Sequence, residues 1–110
     1  MTAAAVRRPA QRQAVLEDEA HWLTWVTDAA DWHAWRHYHT RRSDRSDAGF
    51  LDLVLIRPPR LIFAELKTDS PRSRLTLEQS AWIADLEQIA VVETYVWRPA
   101  DRDQIWQVLT

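Results

Sequence analysis

The stretch GFLDLVLIRPPRLIFAELK, residues 49–67, decides the fold of this chain. It contains two short runs rich in aliphatic residues, Phe50–Ile56 and Leu61–Leu66, which are typical of β-strands. The residues between them, Arg57 to Arg60, carry two adjacent prolines and predict a turn, formed by either the prolines alone or all four residues. We therefore expect an antiparallel hairpin here.

The register of this hairpin predicts that two carboxylates face each other. If Ile56 pairs with Leu61, then Asp52 lies directly opposite Glu65. Opposed residues of an antiparallel pair share one face of the sheet, with Cβ atoms roughly 4.5 to 5.5 Å apart. Alternation places Lys67 on that same face. Two acids and a lysine are thus predicted to converge at the open end of the hairpin.

Two explanations of this trio are open. A salt-bridge cluster at the edge of a sheet is the ordinary one. Against it, directly opposed like charges destabilise a hairpin, and one lysine two residues away cannot fully neutralise two acids. A divalent cation can, because two facing carboxylates suit the oxygen coordination of Mg²⁺, with water and a substrate phosphate as further ligands.

The remaining sequence predicts helices and strands on both sides of the hairpin. An amphipathic helix is expected from about Gln13 to Ala30, with Glu19 at the centre of its apolar face. The other expected elements are a strand at Trp35 to His39, a helix at Thr76 to Gln88, a strand at Val91 to Trp97 and a helix at Asp101 to Leu109. The order α-β-β-β-α-β-α predicts a mixed four-stranded sheet flanked by helices, an α/β fold. Residues 1–12 are expected to form a loose arm before a single domain over residues 13–110.

The composition is that of a globular protein and excludes several classes. Hydrophobic residues make up 46% and charged residues 27% of the 110 residues, which argues against disorder. The chain has no cysteine, which excludes disulfides and thiolate metal sites and favours a reducing, cytoplasmic location. No apolar run is long enough for a membrane span or a secretory signal, so no membrane partner is expected. The net charge of -2 neither indicates nor excludes a nucleic-acid partner.

The ordered set of motifs resembles a known nuclease family. Asp52, a spacer and then Glu65-Leu66-Lys67 look like the D...(D/E)xK signature of the PD-(D/E)xK nuclease superfamily. More narrowly, residues 49–55, 63–67, 77–79 and 95–99 are similar to the VRR-NUC domain. The resemblance extends from about Glu19 to the C-terminus. It departs from the family pattern at Leu51, where a proline usually precedes the acid.

The resemblance implies a restriction-endonuclease-like fold and a Mg²⁺-dependent endonuclease that hydrolyses phosphodiester bonds in DNA. By the family pattern Asp52, Glu65 and the backbone carbonyl of Leu66 would bind Mg²⁺, with Mn²⁺ as a substitute, and Glu19 matches the acid on the family's first helix. Lys67 would orient or deprotonate the attacking water, or stabilise charge on the phosphate.

The resemblance also implies partners and a setting. VRR-NUC proteins are small nucleases of phages, bacteria and DNA-repair proteins, similar to Holliday junction resolvases. Members that stand alone are expected to form homodimers and to cut branched DNA. The implied location is the cytoplasm of a bacterial or phage-infected cell.

Two of the matched residues have alternative explanations. Gln79 matches the family's glutamine beside the site, and it also fits a capping box with Thr76, in which it would bond back to the start of its helix. Glu19 would be costly on an apolar face unless a metal or Lys67 lies nearby. Alternatively, its helix is rotated and Glu19 lies at a rim.

Two polar loops are predicted to bind DNA phosphates without reading sequence. The candidate residues are Arg41, Arg42, Ser43, Arg45 and Ser46 in the first loop and Arg72, Ser73 and Arg74 in the second. An ordinary solvated loop is the alternative for both. His37 and His39 alternate on one strand face, where phosphate contact or packing is expected rather than zinc, because no third soft ligand is within reach. Core packing is expected for most of the seven tryptophans, and Trp25 is expected to be exposed for contact with DNA or a partner.

A function from another class also stays open. The chain could be a noncatalytic module that keeps the nuclease fold and binds nucleic acid or a protein partner. The two functions differ in whether Mg²⁺ or Mn²⁺ raises thermal stability, since a functional acid pair must bind metal.

Overall fold

The structure, a computed structural model, describes residues 18–40 and 47–110 as three helices packed on one sheet. The elements in chain order are α1 (Glu19–Trp32), β1 (Arg36–His39), β2 (Leu53–Arg57), β3 (Arg60–Leu66), α2 (Leu77–Glu87), β4 (Val92–Trp97), a 3₁₀ turn (Pro99–Asp101) and α3 (Arg102–Leu109). This order confirms the predicted α-β-β-β-α-β-α arrangement. The predicted arm, residues 1–12, lies outside the described residues.

The sheet is mixed, as the order of its elements predicts. Its strands lie in the order β1-β2-β3-β4. The β1–β2 and β2–β3 pairs are antiparallel, and β4 runs parallel to β3 after the α2 crossover. None of the helices in the described part of the chain has the length and apolar character that a membrane crossing requires.

The hairpin has the predicted register. Its turn consists of the two prolines, because Arg57 pairs with Arg60. The ladder then runs to Leu53 opposite Ala64, so Asp52 is the next residue beyond its end. Continued alternation turns the Asp52 side chain to the face of the sheet opposite that of Leu53.

The core lies between α1, α3 and one face of the sheet. Its members are Trp22, Val26, Ala29, Ala30, Trp35, Leu53, Leu55, Ile62, Ala64, Trp97, Ile105 and Leu109. Helix α2 packs on the opposite face, where Phe50 contacts both Phe63 of β3 and Trp82 of α2 edge to face, with ring centroids 6.2 and 5.1 Å apart. Apolar side chains are therefore buried on both faces of the sheet, and this packing holds in place the end of the sheet that carries Asp52 and Glu65.

Helix α1 begins at Glu19, later than the apolar periodicity predicts, and residues 13–17 of the predicted helix lie outside the described residues. Asp18 has an extended backbone, and its carboxylate accepts a hydrogen bond from the backbone N–H of His21 at 2.9 Å. Such a cap satisfies an orphan donor of the first turn and ends the helix at that point. Glu19 is therefore an exposed first-turn residue, and the expectation that it lies at the centre of a buried apolar face is wrong.

Most of the tryptophans pack in or against the core as expected, but the exposed tryptophan of α1 is Trp32 and not Trp25. Trp25 is half-buried and stacks on Trp22 with ring centroids 5.6 Å apart, so the expectation that it is exposed is wrong. The guanidinium of Arg102 lies 5.3 Å from its ring centroid. Trp32, at the end of α1, is the exposed tryptophan of this helix, with 76% of its surface accessible.

Candidate active site

The open end of the hairpin forms a cleft of about 540 Å³. The N-terminal ends of α1 and α2 border it, since Glu19 begins α1 and Gln79 lies in the first turn of α2. Six residues of the predicted catalytic and metal sites line this cleft: Glu19, Asp52, Glu65, Leu66, Lys67 and Gln79. The fold thus brings together every residue that the sequence motifs place at those sites.

Glu65 is the most deeply buried ionisable group of the cleft, with 2% of its surface exposed. Its Oε2 accepts hydrogen bonds from Gln79 Nε2 at 2.8 Å and from Lys67 Nζ at 3.2 Å. Its Oε1 is buried and has no hydrogen-bond partner in the part of the chain that the structure describes. An unpartnered carboxylate oxygen in the interior is unfavourable, so a proton or a cation is expected at Oε1.

The electrostatics of the acid pair agree with this expectation. Burial raises the pKa of Glu65 to about 7, with a further increase from the charge of Asp52 and a decrease from Lys67. At neutral pH this acid is therefore poised between its charged and protonated forms. A divalent cation next to two carboxylates takes the place of such a proton and favours the ionised form of both acids.

Asp52 is held at the end of the hairpin by a main-chain contact. Its Oδ2 accepts a hydrogen bond from the backbone N–H of Leu66 at 2.9 Å. The backbone N–H of Lys67, the residue after β3, donates to the carbonyl of Trp97 at 3.0 Å. The backbone that carries Glu65 and Lys67 is thus tied to β2 on one side and to β4 on the other.

Gln79 both caps α2 and contacts the buried acid Glu65, so both explanations of this residue apply. The backbone N–H of Thr76 donates to Gln79 Oε1 at 2.9 Å, and the backbone N–H of Gln79 donates to Thr76 Oγ1 at 3.1 Å, which completes the capping box. Because the cap uses the amide oxygen, the amide nitrogen must be the end that faces Glu65. The helix cap therefore orients the group that contacts the buried acid.

The residues present suit a hard divalent cation. Asp52 and Glu65 provide carboxylate oxygens and Leu66 a backbone carbonyl, the donor types that Mg²⁺ prefers together with water. Among residues 18–40 and 47–110, no three His, Cys, Asp or Glu side chains form a group that could hold a metal. Glu19 lines the cleft but does not extend the acid pair to such a group.

The predicted phosphate-binding loops are only partly described. Arg41, Arg42, Ser43, Arg45 and Ser46 lie outside the described residues. In the second loop, Ser73 Oγ accepts a hydrogen bond from the Thr68 N–H at 2.9 Å, and Arg74 Nε donates to the Pro71 carbonyl at 3.2 Å. These contacts fix the shape of the loop. Arg72 and Arg74 are exposed, and neither lines the cleft.

Several residues that complete the cleft were not among the predicted catalytic and metal-binding residues, although phosphate contact or packing was expected for His39. His39, Thr40, Gly49 and Phe50 all line it. Gly49 has a φ of +84°, and a Cβ there would lie 2.5 Å from the backbone carbonyl carbon of Glu78. The signal in the sequence was that Gly49 is the only glycine, which marks a place where the backbone passes close to another element.

Gly49→Ala is expected to lower the free energy of unfolding by about 2 to 4 kcal/mol, since it combines a positive φ with overpacking against α2. Chemical denaturation measures this change. The control is Ala34→Gly, at an exposed residue with a φ of +66°, which is expected to raise stability by up to about 1 kcal/mol. Wild-type stability of Gly49→Ala would show that the loop and α2 are not in close contact.

Stability in the absence of divalent cations is expected to fall as the pH rises from 4.5 to about 7, the ordinary and raised pKa values of Glu65. Over this range Glu65 binds more protons in the folded protein than in the unfolded chain, so each increase in pH weakens the contribution of this residue to stability, by at most about 3 kcal/mol in total. Urea denaturation of wild type and Glu65→Gln across this range measures the effect. The variant should show a flatter pH profile, and parallel profiles would contradict the raised pKa.

No protein-family model, curated protein or solved structure matches this chain. The function of this protein is therefore inferred from the residues and geometry of the cleft and from the sequence motifs.

Proposed function

We propose that this protein is a metal-dependent endonuclease that hydrolyses phosphodiester bonds in DNA, with the cleft as its active site. The observation that carries the proposal is the convergence of Asp52, Glu65 and Lys67 around a buried carboxylate oxygen that has no partner among the described residues. A salt bridge between Lys67 and Glu65 is present, at 3.2 Å. It leaves the charge of Asp52 and the Oε1 atom uncompensated, which a cation would correct.

The acid pair would hold the cation. Asp52, Glu65 and the carbonyl of Leu66 are the residues that would bind Mg²⁺, or Mn²⁺ in its place. When bound, such a cation supplies positive charge at the phosphoryl oxygen and lowers the pKa of coordinated water. Among the described residues, Gln79 and Lys67 both contact Oε2 of Glu65, so Oε1 is the atom left for this ligand.

Lys67 and Gln79 are assigned to positions beside the reacting groups. The Lys67 side chain is 12% exposed and lines the cleft, so its ammonium group is partly desolvated next to the acids. It would orient or deprotonate the attacking water, or balance the charge that develops on the phosphate. Gln79 would hold Glu65 in the orientation that directs Oε1 towards the ligand.

The surroundings of the cleft favour a phosphate-bearing substrate. The first turns of α1 and α2 both border it, and a helix N-terminus carries partial positive charge. Arg72 and Arg74 are exposed in the loop that follows Lys67 in the chain. A restriction-endonuclease-like fold, a homodimer, selectivity for branched DNA and a cytoplasmic setting belong to the proposal through the VRR-NUC resemblance.

Cleavage assays test the proposal. Purified protein is incubated with end-labelled duplex, flap, fork and four-way-junction DNA in Mg²⁺, in Mn²⁺ and in EDTA. We expect cleavage that requires the cation and is fastest on a branched substrate, and a rise in thermal stability when the cation is added. Binding of DNA without cleavage of any substrate would contradict the nuclease and favour the noncatalytic binding module.

A further inference from the structure

The imidazole of His39 lines the cleft and has no role in the proposed function. His39 is the last residue of β1 and pairs with Leu53. The following residue, Thr40, donates its backbone N–H to the Asp52 carbonyl at 2.9 Å and its hydroxyl to the Leu51 carbonyl at 3.0 Å. The backbone at His39 is thus fixed on both sides to the segment that carries Asp52.

His39 differs from the other histidines in lying at the cleft with no side-chain hydrogen bond, ion pair or ring contact to a described residue. His21 and His37 each lie beside an aspartate, and His33 packs edge to face against a tryptophan ring. His39 is half-buried, and its ring makes no hydrogen bond or ion pair with any residue that the structure describes. An imidazole on a fixed backbone that lines the cleft and has no partner among the described residues is available to a ligand.

His39 reaches the cleft from the side of the sheet opposite the acids. Its partner Leu53 faces α1 and α3, whereas Glu65 contacts Gln79 of α2. Lys67 shares the side of Glu65, to which it bonds. A phosphodiester across the end of the sheet would therefore have Lys67 on one side and His39 on the other. An in-line displacement at phosphorus places the entering and leaving oxygens on opposite sides in the same way.

We propose that His39 is the general acid of the cleavage reaction, an assignment that rests on the proposed nuclease function. The attacking water forms a new P–O bond on the Lys67 side and releases one proton to the solvent. The bond between phosphorus and the leaving oxygen breaks, and the imidazolium of His39 donates its N–H proton to that oxygen. The products are a phosphate monoester and a hydroxyl group, and His39 regains its proton from the solvent. Imidazole suits this role because it exchanges protons near neutral pH.

The test uses a substrate whose leaving group does not have to be protonated by His39. An oligonucleotide is used on which wild-type cleavage and product ends have been mapped, and the leaving oxygen of the scissile phosphate is replaced by sulfur. A thiolate leaves without protonation because a thiol is a far stronger acid than an alcohol. We expect His39→Ala to lower the single-turnover rate about 100-fold or more on the oxygen substrate and to stay within about threefold of wild type on the sulfur substrate.

His37→Ala is the matched control, because His37 lies on the same face of β1 and does not line the cleft. It should cleave both substrates at the wild-type rate. If His39→Ala does not fold, His39→Gln, which keeps a polar side chain and lacks the acid, gives the same comparison. Equal losses on both substrates, or an undiminished rate on the oxygen substrate, would overturn the assignment of His39. Failure of the wild type to cleave either substrate would instead overturn the nuclease function.

Discussion

Asp52→Asn is expected to abolish DNA cleavage and divalent-cation binding while leaving the protein folded. The asparagine carbonyl can still accept the hydrogen bond that Asp52 Oδ2 receives from the Leu66 N–H, so the end of the hairpin keeps its contact. The substitution removes one negative charge from the acid pair, and with it the electrostatic reason for a cation to bind there. We expect the single-turnover rate to fall about a thousandfold or more, equivalent to about 4 kcal/mol of transition-state stabilisation.

Calorimetric titration with Mn²⁺ and single-turnover cleavage measure the two effects. Asp101→Asn is the matched control, since Asp101 Oδ2 also accepts a backbone N–H bond at 2.9 Å, from Arg98, and does not line the cleft. This control should bind Mn²⁺ and cleave DNA as the wild type does. Equal Mn²⁺ affinity of Asp52→Asn and wild type would show that the two acids do not share a cation.

Lys67→Arg is expected to reduce the single-turnover rate by about two orders of magnitude or more while DNA affinity and stability stay near wild type. Lys67 is the only lysine among 14 basic residues, so arginine occupies every other position where a positive charge is present. Its ammonium lies 3.2 Å from Glu65 Oε2, and arginine would preserve that ion pair. Arginine is broader and stays charged, so it cannot replace a lysine that orients or deprotonates water.

Stopped reactions under single-turnover conditions, together with DNA titrations, separate the rate from the affinity. Arg36→Lys makes the reverse exchange at an exposed residue outside the cleft and outside the two predicted DNA-binding loops, and it should leave both unchanged. Cleavage by Lys67→Arg at the wild-type rate would show that only the positive charge of Lys67 matters. That result would favour the salt-bridge explanation of this lysine.

The sheet and the acid pair could be predicted because local patterns determine both. A two-proline turn between two apolar runs leaves one register in which the apolar residues of both strands share faces, and Asp52 and Glu65 follow from that register by alternation. The start of α1 could not be predicted in the same way, because apolar periodicity continues through Asp18. The carboxylate of Asp18 caps the helix there, and this local bond overrides the periodicity.

Other parts of the cleft depend on contacts that periodicity does not contain. His39 lines the cleft only because β1 pairs with β2 at the edge of the sheet. The polar residues between these two strands in the sequence do not indicate that pairing. Trp25 is covered by Trp22 and Arg102, the second of which lies more than seventy residues away in the chain. Gln79 caps α2 through its amide oxygen and contacts Glu65 through its amide nitrogen. The sequence does not show which end of the amide faces which partner.

The capping box of α2 couples the folding of the first turn of this helix to the position of Glu65 in the cleft. Helix termini ordinarily fray, opening and closing their first turn without consequence for the rest of a protein. In this protein the amide that closes the first turn of α2 also contacts the buried acid, so the turn cannot open without loss of the bond from Gln79 to Glu65. Opening of the helix end then leaves Lys67 as the remaining side-chain contact of Glu65 Oε2 among the described residues. The stability of one helical turn thus contributes to how firmly the buried acid is oriented.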